Sequence, residues 1–178
     1  MTALKSIVIN PAPHAQEPSE MATLPSPKTV SASRISIAQL MQPEHANNLG
    51  NVHGGWIMKL VDEAGALACM RHAQRRVVTV AIDSMVFRLP IRLGDLVLLT
   101  AELTNTGRTS MEVEIQVQAE NPISGQRWHT NTAYAVYVAL DDAGKPTPVP
   151  ALLAETEEER RRQTEARERQ ARRLKERQ

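Results

Sequence analysis

The chain has 178 residues and a formal net charge of +1, from 21 basic and 20 acidic side chains. That length supports one hydrophobic core of ordinary size, and the balanced charge provides no overall field for nucleic acid or an anionic membrane. Only 3% of the residues are aromatic, too few for a surface that stacks bases. A single cysteine, Cys69, excludes an intrachain disulfide framework and a cysteine-based zinc cluster. The single cysteine favours a reducing cytoplasm. No apolar run approaches the roughly 18 residues that cross a bilayer, so we expect no membrane and no nucleic acid among the partners.

The sequence divides into three segments. Residues 1–32 carry scattered Pro, Ser, Thr and Glu without a usable period, which predicts a disordered N-terminal arm. Residues 33–150 are predicted to form one domain. Residues 151–178 are predicted to form a charged C-terminal helical tail, because acids cluster early and bases late, as a helix dipole favours. The apolar residues of that helix are few, so we expect it to be solvated and frayed; a basic contribution to ligand or partner binding is the alternative.

The central segment predicts an α+β fold. A short strand within 34–43 is ended by Pro43, and residues 56–71 repeat apolar side chains at helical spacing. Four stretches rich in alternating or β-branched residues follow as predicted strands: 77–87, 95–106, 110–120 and 127–141. The helix is the only long internal apolar element that can cover one face of such a sheet, so the sheet is expected to wrap it.

One predicted strand has a polar face. In SMEVEIQVQAE, residues 110–120, Met, Val, Ile and Val alternate with Glu112, Glu114, Gln116 and Gln118. Because successive side chains of a strand point to opposite faces, the polar residues share one face, which we expect to meet water.

An acidic residue, Asp62, falls partway along the predicted helix. It lies away from the polar edge where Lys59 and Glu63 can pair, and shares its side of the helix with small and apolar residues. An ionised carboxylate buried there without a partner would cost several kcal/mol. Either Asp62 faces solvent or a neighbouring loop, as most isolated helical acids do, or it takes part in chemistry.

The loop before the helix favours the second interpretation. It is rich in turn-forming residues, and the pair Gly54 and Gly55 lets the backbone come close to a ligand. A helix start also offers unpaired N–H groups and positive potential. Amides that polarise a carbonyl and an acid that activates water suit acyl transfer. Gly55 and Asp62 are roughly 10 Å apart along the helix axis, which one protomer alone does not easily bridge.

Four stretches carry a resemblance to a known family. They are NNLGNVHGGWIMKLVDEAG from Asn47 to Gly65, VVTVAIDSMVF, the GRTSM turn at 107–111 and KPTPVPALLAETEEER. Over about residues 34–170 the chain resembles the hotdog-fold acyl-CoA thioesterases, most closely the cytosolic acyl-CoA hydrolase branch in its single-domain bacterial form. The resemblance implies an antiparallel sheet wrapped around a long central helix. It also implies a homo-oligomer, a dimer or a trimer of dimers, with active sites between subunits.

The resemblance also assigns the catalytic residues. It places Asn47 and the Gly55 amide of one protomer opposite Asp62 of the other. The implied reaction is hydrolysis of fatty acyl-CoA to a free fatty acid and CoA, without a metal or a cofactor. Asp62 acts as general base toward water or, less favoured, as a nucleophile through an anhydride. Asn47 orients the water or binds the carbonyl, and the Gly55 N–H stabilises the oxyanion.

Substrate binding requires cations or helix-start amides for the three phosphates of CoA. The candidate arginines are Arg76, Arg88 and Arg108, although each could equally be an ordinary exposed arginine at a strand end. The family places part of its CoA contact in the GRTSM turn, which adds Gly107, Thr109 and Ser110, as contacts of the pantetheine or as residues that pin the turn. His53 and Gly54 complete the set; for His53 a role in loop packing is favoured over one as general base.

Two other functions remain open. A non-catalytic module that binds or senses acyl-CoA would keep the fold and the pocket, but the presence of both Asn47 and Asp62 argues against it. A hotdog dehydratase would rely on a catalytic histidine, and His53 lacks the expected context. A serine hydrolase is disfavoured because Ser110 has no histidine and acid arranged near it in a recognised motif.

Overall fold

The computed structural model describes residues 25–83, 85–87 and 89–176. Residues 1–24 of the predicted arm and the candidate phosphate ligand Arg88 lie outside the described residues. In chain order the elements are β1 (Lys28–Thr29), α1 (Val30–Ser33), β2 (Ile35–Leu40), α2 (Gly54–Ala73), β3 (Arg76–Ile82), β4 (Leu96–Thr106), β5 (Ser110–Glu120), β6 (Arg127–Leu140), β7 (Leu152–Leu153) and α3 (Glu157–Glu176). No helix in these described ranges is long and apolar enough to cross a membrane.

Five antiparallel strands form one sheet in the order β2-β4-β5-β6-β3. Helix α2 packs against all five strands, so the sheet wraps the helix. The predicted α+β hotdog architecture is therefore confirmed. Strand β3 lies at one edge of the sheet and is shorter than predicted, ending at Ile82. Beyond it the chain leaves the sheet and passes over the start of α2, where the Phe87 ring lies against Gly54.

Small side chains allow α2 to lie close to the sheet. The buried side of the helix repeats at intervals of three and four residues, and the facing row of β6 is mostly alanine. The fully or almost fully buried members are Ile57, Leu60, Val61, Ala64 and Ala68 on α2, and Ala133, Ala135, Tyr137 and Ala139 on β6. Small side chains thus let α2 pack closely on β6, and the core needs few large aromatic rings to fill the space between them.

Residues 28–33, which were included in the predicted arm, form regular structure. The disordered arm was expected to extend to residue 32, but β1 pairs in parallel with β7, and α1 follows with Thr29 as its N-cap. This segment is held by a single core residue, Val30, and by polar contacts, which explains why no periodic apolar pattern revealed it. Lys28 donates to the main-chain oxygen of His72 at 2.7 Å, and Ser33 is completely buried.

His72, near the end of α2, ties both terminal segments to the core. Its side chain is fully buried, with Nε2 at 3.0 Å from the Pro150 carbonyl and Nδ1 at 2.7 Å from the Ser33 hydroxyl. A carbonyl only accepts, so Nε2 carries the proton and Nδ1 accepts from Ser33. Burial lowers the pKa of His72 from its ordinary value of 6.5, and the nearby Lys28 ammonium lowers it further.

Helix α3 packs on the sheet face opposite α2. Arg162 pairs with Glu102 at 2.7 Å, Arg169 pairs with Glu112 at 2.8 Å, and Arg173 contacts Glu112 as well. Glu112 is only 4% exposed, and its Oε1 also accepts from Thr104. The expectation of a solvated, frayed helix is therefore wrong.

The reason for this error lies in the composition of the contact stripe. Arg162, Ala166, Arg169 and Arg173 recur at intervals of four, three and four residues, so they share one helix face, but only Ala166 is apolar. The arginines of this stripe cover the polar face of β5. The expectation that this face meets water is therefore wrong at Glu112 and Glu114, which are buried. Gln116, farther along β5, is exposed as expected.

A pH titration of stability tests the His72 anchor. Because the folded pKa lies below the unfolded one, the neutral ring contributes stability that is fully present above about pH 6.5 and is lost as pH falls through the folded pKa. We expect the free energy of unfolding to fall more steeply between about pH 7 and pH 5 in the parent than in His72→Gln, whose amide does not titrate. The control His129→Gln removes an exposed histidine and should keep the parent's slope. Equal slopes in the parent and His72→Gln would contradict the anchor.

Urea unfolding tests the docking of α3. Glu112→Gln removes the buried counter-charge of Arg169 and leaves Arg173 paired with Asp83 alone, so it should lower the free energy of unfolding by about 3 kcal/mol. The control Glu158→Gln removes an exposed carboxylate of α3 that pairs with Arg161. No measurable change in the free energy of unfolding is expected. If both variants were as stable as the parent, the ion pairs would not hold the helix.

Candidate active site

Hydrogen bonds within the loop before α2 occupy the carbonyl oxygen of the Asn47 side chain. Asn47 Oδ1 accepts from the Leu49 amide at 2.8 Å and from the Asn51 amide at 3.2 Å. Within the described residues no hydrogen bond engages Asn47 Nδ2. Asn47 can therefore offer a ligand hydrogen-bond donors, while its acceptor is committed to the loop.

His53 caps α2. Its Nδ1 accepts from the Gly55 N–H at 2.9 Å, which satisfies one of the free amides at the helix start. The side chain is exposed, and the favoured role in the loop agrees with this geometry better than a role as general base. The same bond occupies the amide that sequence analysis assigned to the oxyanion. For Gly55 to donate to a substrate carbonyl, His53 has to turn away.

The two glycines at the helix start make room for neighbouring side chains. A Cβ on Gly55 would lie 2.9 Å from His53 Nδ1, which is too close. A Cβ on Gly54 would lie 3.6 Å from the Phe87 ring, an ordinary contact, so at that position the ring simply covers the backbone. The close approach seen at Gly55 is thus to the His53 side chain, and the approach of a ligand to this backbone stays a prediction.

Asp62 is half-buried and receives two hydroxyl groups. Thr79 Oγ1 donates to Asp62 Oδ1 at 2.7 Å, and the Tyr137 hydroxyl lies 3.2 Å from the same oxygen. In the described part of the chain, no hydrogen bond engages Oδ2. The sheet thus adds two hydroxyl donors to the small and apolar neighbours that Asp62 has on α2: one oxygen is fixed by donors, and the other is available to a ligand or water.

Thr79 and Tyr137 are functional candidates that sequence analysis missed. They lie directly opposite each other on β3 and β6, so the register of the sheet brings both to Asp62. Burial raises the pKa of Tyr137, and the Asp62 carboxylate raises it further, so the hydroxyl keeps its proton. Thr79 lies within the VVTVAIDSMVF stretch of the resemblance, but strand alternation alone does not show which polar residue meets the helix.

The candidate catalytic residues do not meet within one chain. In the described ranges no hydrogen bond joins Asn47 or Gly55 to Asp62, and the helix separates Gly55 from Asp62 by roughly 10 Å. The surface around Asp62 includes the open edge of β3. Large apolar side chains are also exposed on α2, on the edge strand β3 and in the segment that follows it: Met58, Leu67, Val78, Val80 and Phe87, each more than 40% exposed.

Two of the candidate CoA contacts lie on the face of the sheet opposite Asp62. Arg76 begins β3 opposite Leu140 of β6, and Ser110 pairs with Val138 of β6, so Arg76 and the GRTSM turn lie at the same end of the sheet. Gly107 and Ser110 line a cavity of about 160 Å³ beneath α3, on the face opposite Asp62. The structure therefore does not bring these two residues to the carboxylate.

Backbone hydrogen bonds pin the GRTSM turn. The Arg108 carbonyl accepts from Val149 at 3.0 Å and the Thr109 carbonyl accepts from Ala139 at 3.0 Å, while Gly107 donates to the Ser110 carbonyl at 2.8 Å. Arg76 and Arg108 are exposed and form no salt bridge with any described residue. Their side chains are therefore free to meet an anion.

No group of three or more His, Cys, Asp and Glu side chains that could hold a metal ion occurs in the ranges the structure describes. Cys69 is a free thiol on the buried side of α2, where burial raises its pKa well above the ordinary value. Neither feature adds a group to the surroundings of Asp62.

Known proteins match this chain in sequence. A family model described as the thioesterase superfamily matches residues 49–125. The chain is 39% identical over 140 residues to a cytosolic acyl coenzyme A thioester hydrolase of Rattus norvegicus, covering 78% of this chain and 37% of that protein. It is 39% identical over 120 residues to the acyl-CoA thioester hydrolase YciA of Salmonella typhimurium, covering 65% of this chain and 90% of that protein. The chain thus spans little more than a third of the rat protein and most of the bacterial one.

Solved structures match in fold. An apo-hexameric acyl-CoA thioesterase superposes with a TM-score of 0.81 at 39% identity, covering 85% of this chain and 97% of that one. An acyl-CoA hydrolase from Staphylococcus aureus, in complex with butyryl coenzyme A, coenzyme A and coenzyme A disulfide, superposes with a TM-score of 0.78 at 33% identity. The match covers 84% of this chain and 92% of that one. That hydrolase has also been solved with an aspartate, an asparagine or a threonine replaced by alanine.

These matches define the class of protein. The chain belongs to the thioesterase superfamily of hotdog-fold proteins. The relatives named above are, more particularly, acyl-CoA thioester hydrolases.

Proposed function

We propose that this protein hydrolyses fatty acyl-CoA to a free fatty acid and CoA, at a site that two chains share. The observation that carries the proposal is the Asp62 carboxylate on a thioesterase fold, with Oδ1 fixed by Thr79 and Tyr137 and Oδ2 left open. The acyl-CoA substrate is supported by the names of the relatives and by the coenzyme A ligands of the Staphylococcus aureus hydrolase.

The spacing of three residues supports the assignment. In the Staphylococcus aureus hydrolase, the replaced asparagine precedes the replaced aspartate by 15 residues, and the replaced threonine follows it by 17. Asn47, Asp62 and Thr79 have the same two spacings in this chain. The comparison therefore supports Asn47 and Asp62 and adds Thr79, which the structure independently places on the carboxylate.

In the proposed mechanism Asp62 Oδ2 takes a proton from the attacking water as a general base. Asn47 donates from Nδ2 to the thioester carbonyl, because its Oδ1 is committed to the loop and cannot accept from the water. The Gly55 N–H supports the developing oxyanion once His53 has turned away. The tetrahedral intermediate then breaks its C–S bond, and the departing CoA sulfur takes the proton that Asp62 had accepted from water. The proposed reaction uses neither metal nor cofactor.

Two features support a site shared between chains. Within one chain Gly55 and Asp62 are roughly 10 Å apart along the helix, whereas the carboxylate lies beside the open edge strand β3. An exposed sheet edge bordered by exposed apolar side chains is suited to pairing with a second copy. The hexameric assembly of a structural relative supports a dimer or a trimer of dimers for this chain.

The CoA phosphates are assigned to Arg76 and Arg108, which are both exposed at the same end of the sheet. Arg88 remains a further candidate from the sequence. Cytoplasmic location is proposed as well, supported by the description of the rat relative as cytosolic.

Release of free thiol from acyl-CoAs of different chain length tests the proposed function. Asp62→Asn should lower turnover about a hundredfold to ten-thousandfold while folding and CoA binding persist, because the amide keeps the shape but cannot take the proton. Glu63→Gln is the matched control: this neighbouring acid is exposed and paired with Lys59, so turnover should stay at the parent level.

Three outcomes would decide the matter. Hydrolysis that depends on Asp62 would support the mechanism. An Asp62→Asn variant as fast as the parent would contradict the role of the carboxylate. Tight binding of acyl-CoA without any thiol release in the parent would contradict the enzyme and favour the non-catalytic binding module.

A further inference from the structure

Tyr137 reaches Asp62 through a gap in α2. The tyrosine side chain is completely buried on β6, and its hydroxyl lies 3.0 Å from the Asp62 main-chain oxygen and 3.2 Å from Oδ1. Gly65 lies on the same side of the helix, three residues after Asp62. A Cβ on Gly65 would lie 2.4 Å from the tyrosine hydroxyl and 2.9 Å from its ring. Any side chain at position 65 would therefore displace Tyr137 from the aspartate.

The tyrosine hydroxyl has one proton and two acceptors within reach. The main-chain oxygen of Asp62 already accepts the helical N–H four residues later, whereas Oδ1 carries negative charge and is the stronger acceptor. Since burial and the neighbouring carboxylate keep Tyr137 protonated, it is a donor throughout the physiological pH range. We therefore count the carboxylate oxygen as its principal partner.

The two donors to Oδ1 come from different parts of the sheet. Thr79 belongs to the exposed edge strand, while Tyr137 lies in the adjacent strand, inside the core. Together they hold one carboxylate oxygen against the sheet, and neither donates to the second oxygen. A carboxylate held by one hydroxyl alone could rotate about its side-chain torsions more freely.

We infer that Tyr137, admitted by the missing side chain of Gly65, is a positioning residue that fixes Asp62 so that Oδ2 faces the attacking water. This inference rests on the proposed hydrolysis and adds a residue to it. Tyr137 acts through Asp62 and does not itself touch the substrate. Its removal is expected to slow the chemical step without weakening substrate binding.

Tyr137→Phe tests the inference, because it removes the hydroxyl and keeps the ring. We expect kcat to fall about tenfold to a hundredfold, which is the effect of one hydrogen bond to a charged group, while KM stays within about twofold of the parent. The matched control is Tyr134→Phe on the same strand. Its hydroxyl donates to Glu114 at 3.2 Å, on the opposite face, so its removal should leave kcat unchanged.

A cycle with Asp62→Asn separates positioning from a general structural effect. In that background there is no carboxylate to orient, so adding Tyr137→Phe should lower kcat no further. A loss of equal size in both backgrounds, or parent kcat in Tyr137→Phe, would overturn the inference.

A measurement without turnover distinguishes this inference from the proposed function. The carboxyl carbon resonance of Asp62, identified by its loss in Asp62→Asn, should move in Tyr137→Phe and stay in place in Tyr134→Phe. An unmoved resonance in Tyr137→Phe would contradict the contact whether or not the protein hydrolyses thioesters. Absence of hydrolysis in the parent, with the resonance shift present, would contradict the proposed function alone.

Discussion

The packing of α2 against the concave face of the sheet is the constraint on which the rest of the structure depends. Alanines on β6 let the helix approach closely, and the helix supplies the apolar side that the sheet needs to cover. The same contact places Asp62 against β3 and β6, where two hydroxyl groups meet it. The candidate catalytic carboxylate thus lies in the interface between α2 and the sheet. Its negative charge is stabilised there by hydrogen bonds from two hydroxyl groups.

The opposite face of the sheet is covered by a different kind of interaction. Arginines of α3 meet the carboxylates of Glu102 and Glu112, and the helix contributes little apolar area. A buried carboxylate in such a pair is costly to leave alone, so α3 and the acids of β4 and β5 require each other. The two faces therefore have separate roles: α2 forms the core and carries Asp62, while α3 covers the acids on the outer side.

Sequence patterns predicted the elements of this fold but not all of their contacts. The helix and the strands of the sheet followed from apolar periodicity, because that pattern reflects burial against one partner. The docking of α3 did not, since its contact stripe consists of arginines. Thr79 and Tyr137 were missed because they meet only through the register of β3 with β6, which no local pattern records. The capping bond between His53 and Gly55 is a local side-chain geometry that composition does not specify.

The proposed site requires Asn47 and the start of α2 in one chain to serve Asp62 of another. The most direct test combines an Asn47→Ala chain and an Asp62→Asn chain with different affinity tags, isolates the mixed dimers and measures thiol release from acyl-CoA. Each homodimer should be nearly inactive. In a mixed dimer one site receives both lesions and the other receives none, so the account predicts about half of the parent's activity per dimer. Mixed dimers as inactive as the two homodimers would show that each site is built within a single chain, and would contradict the account.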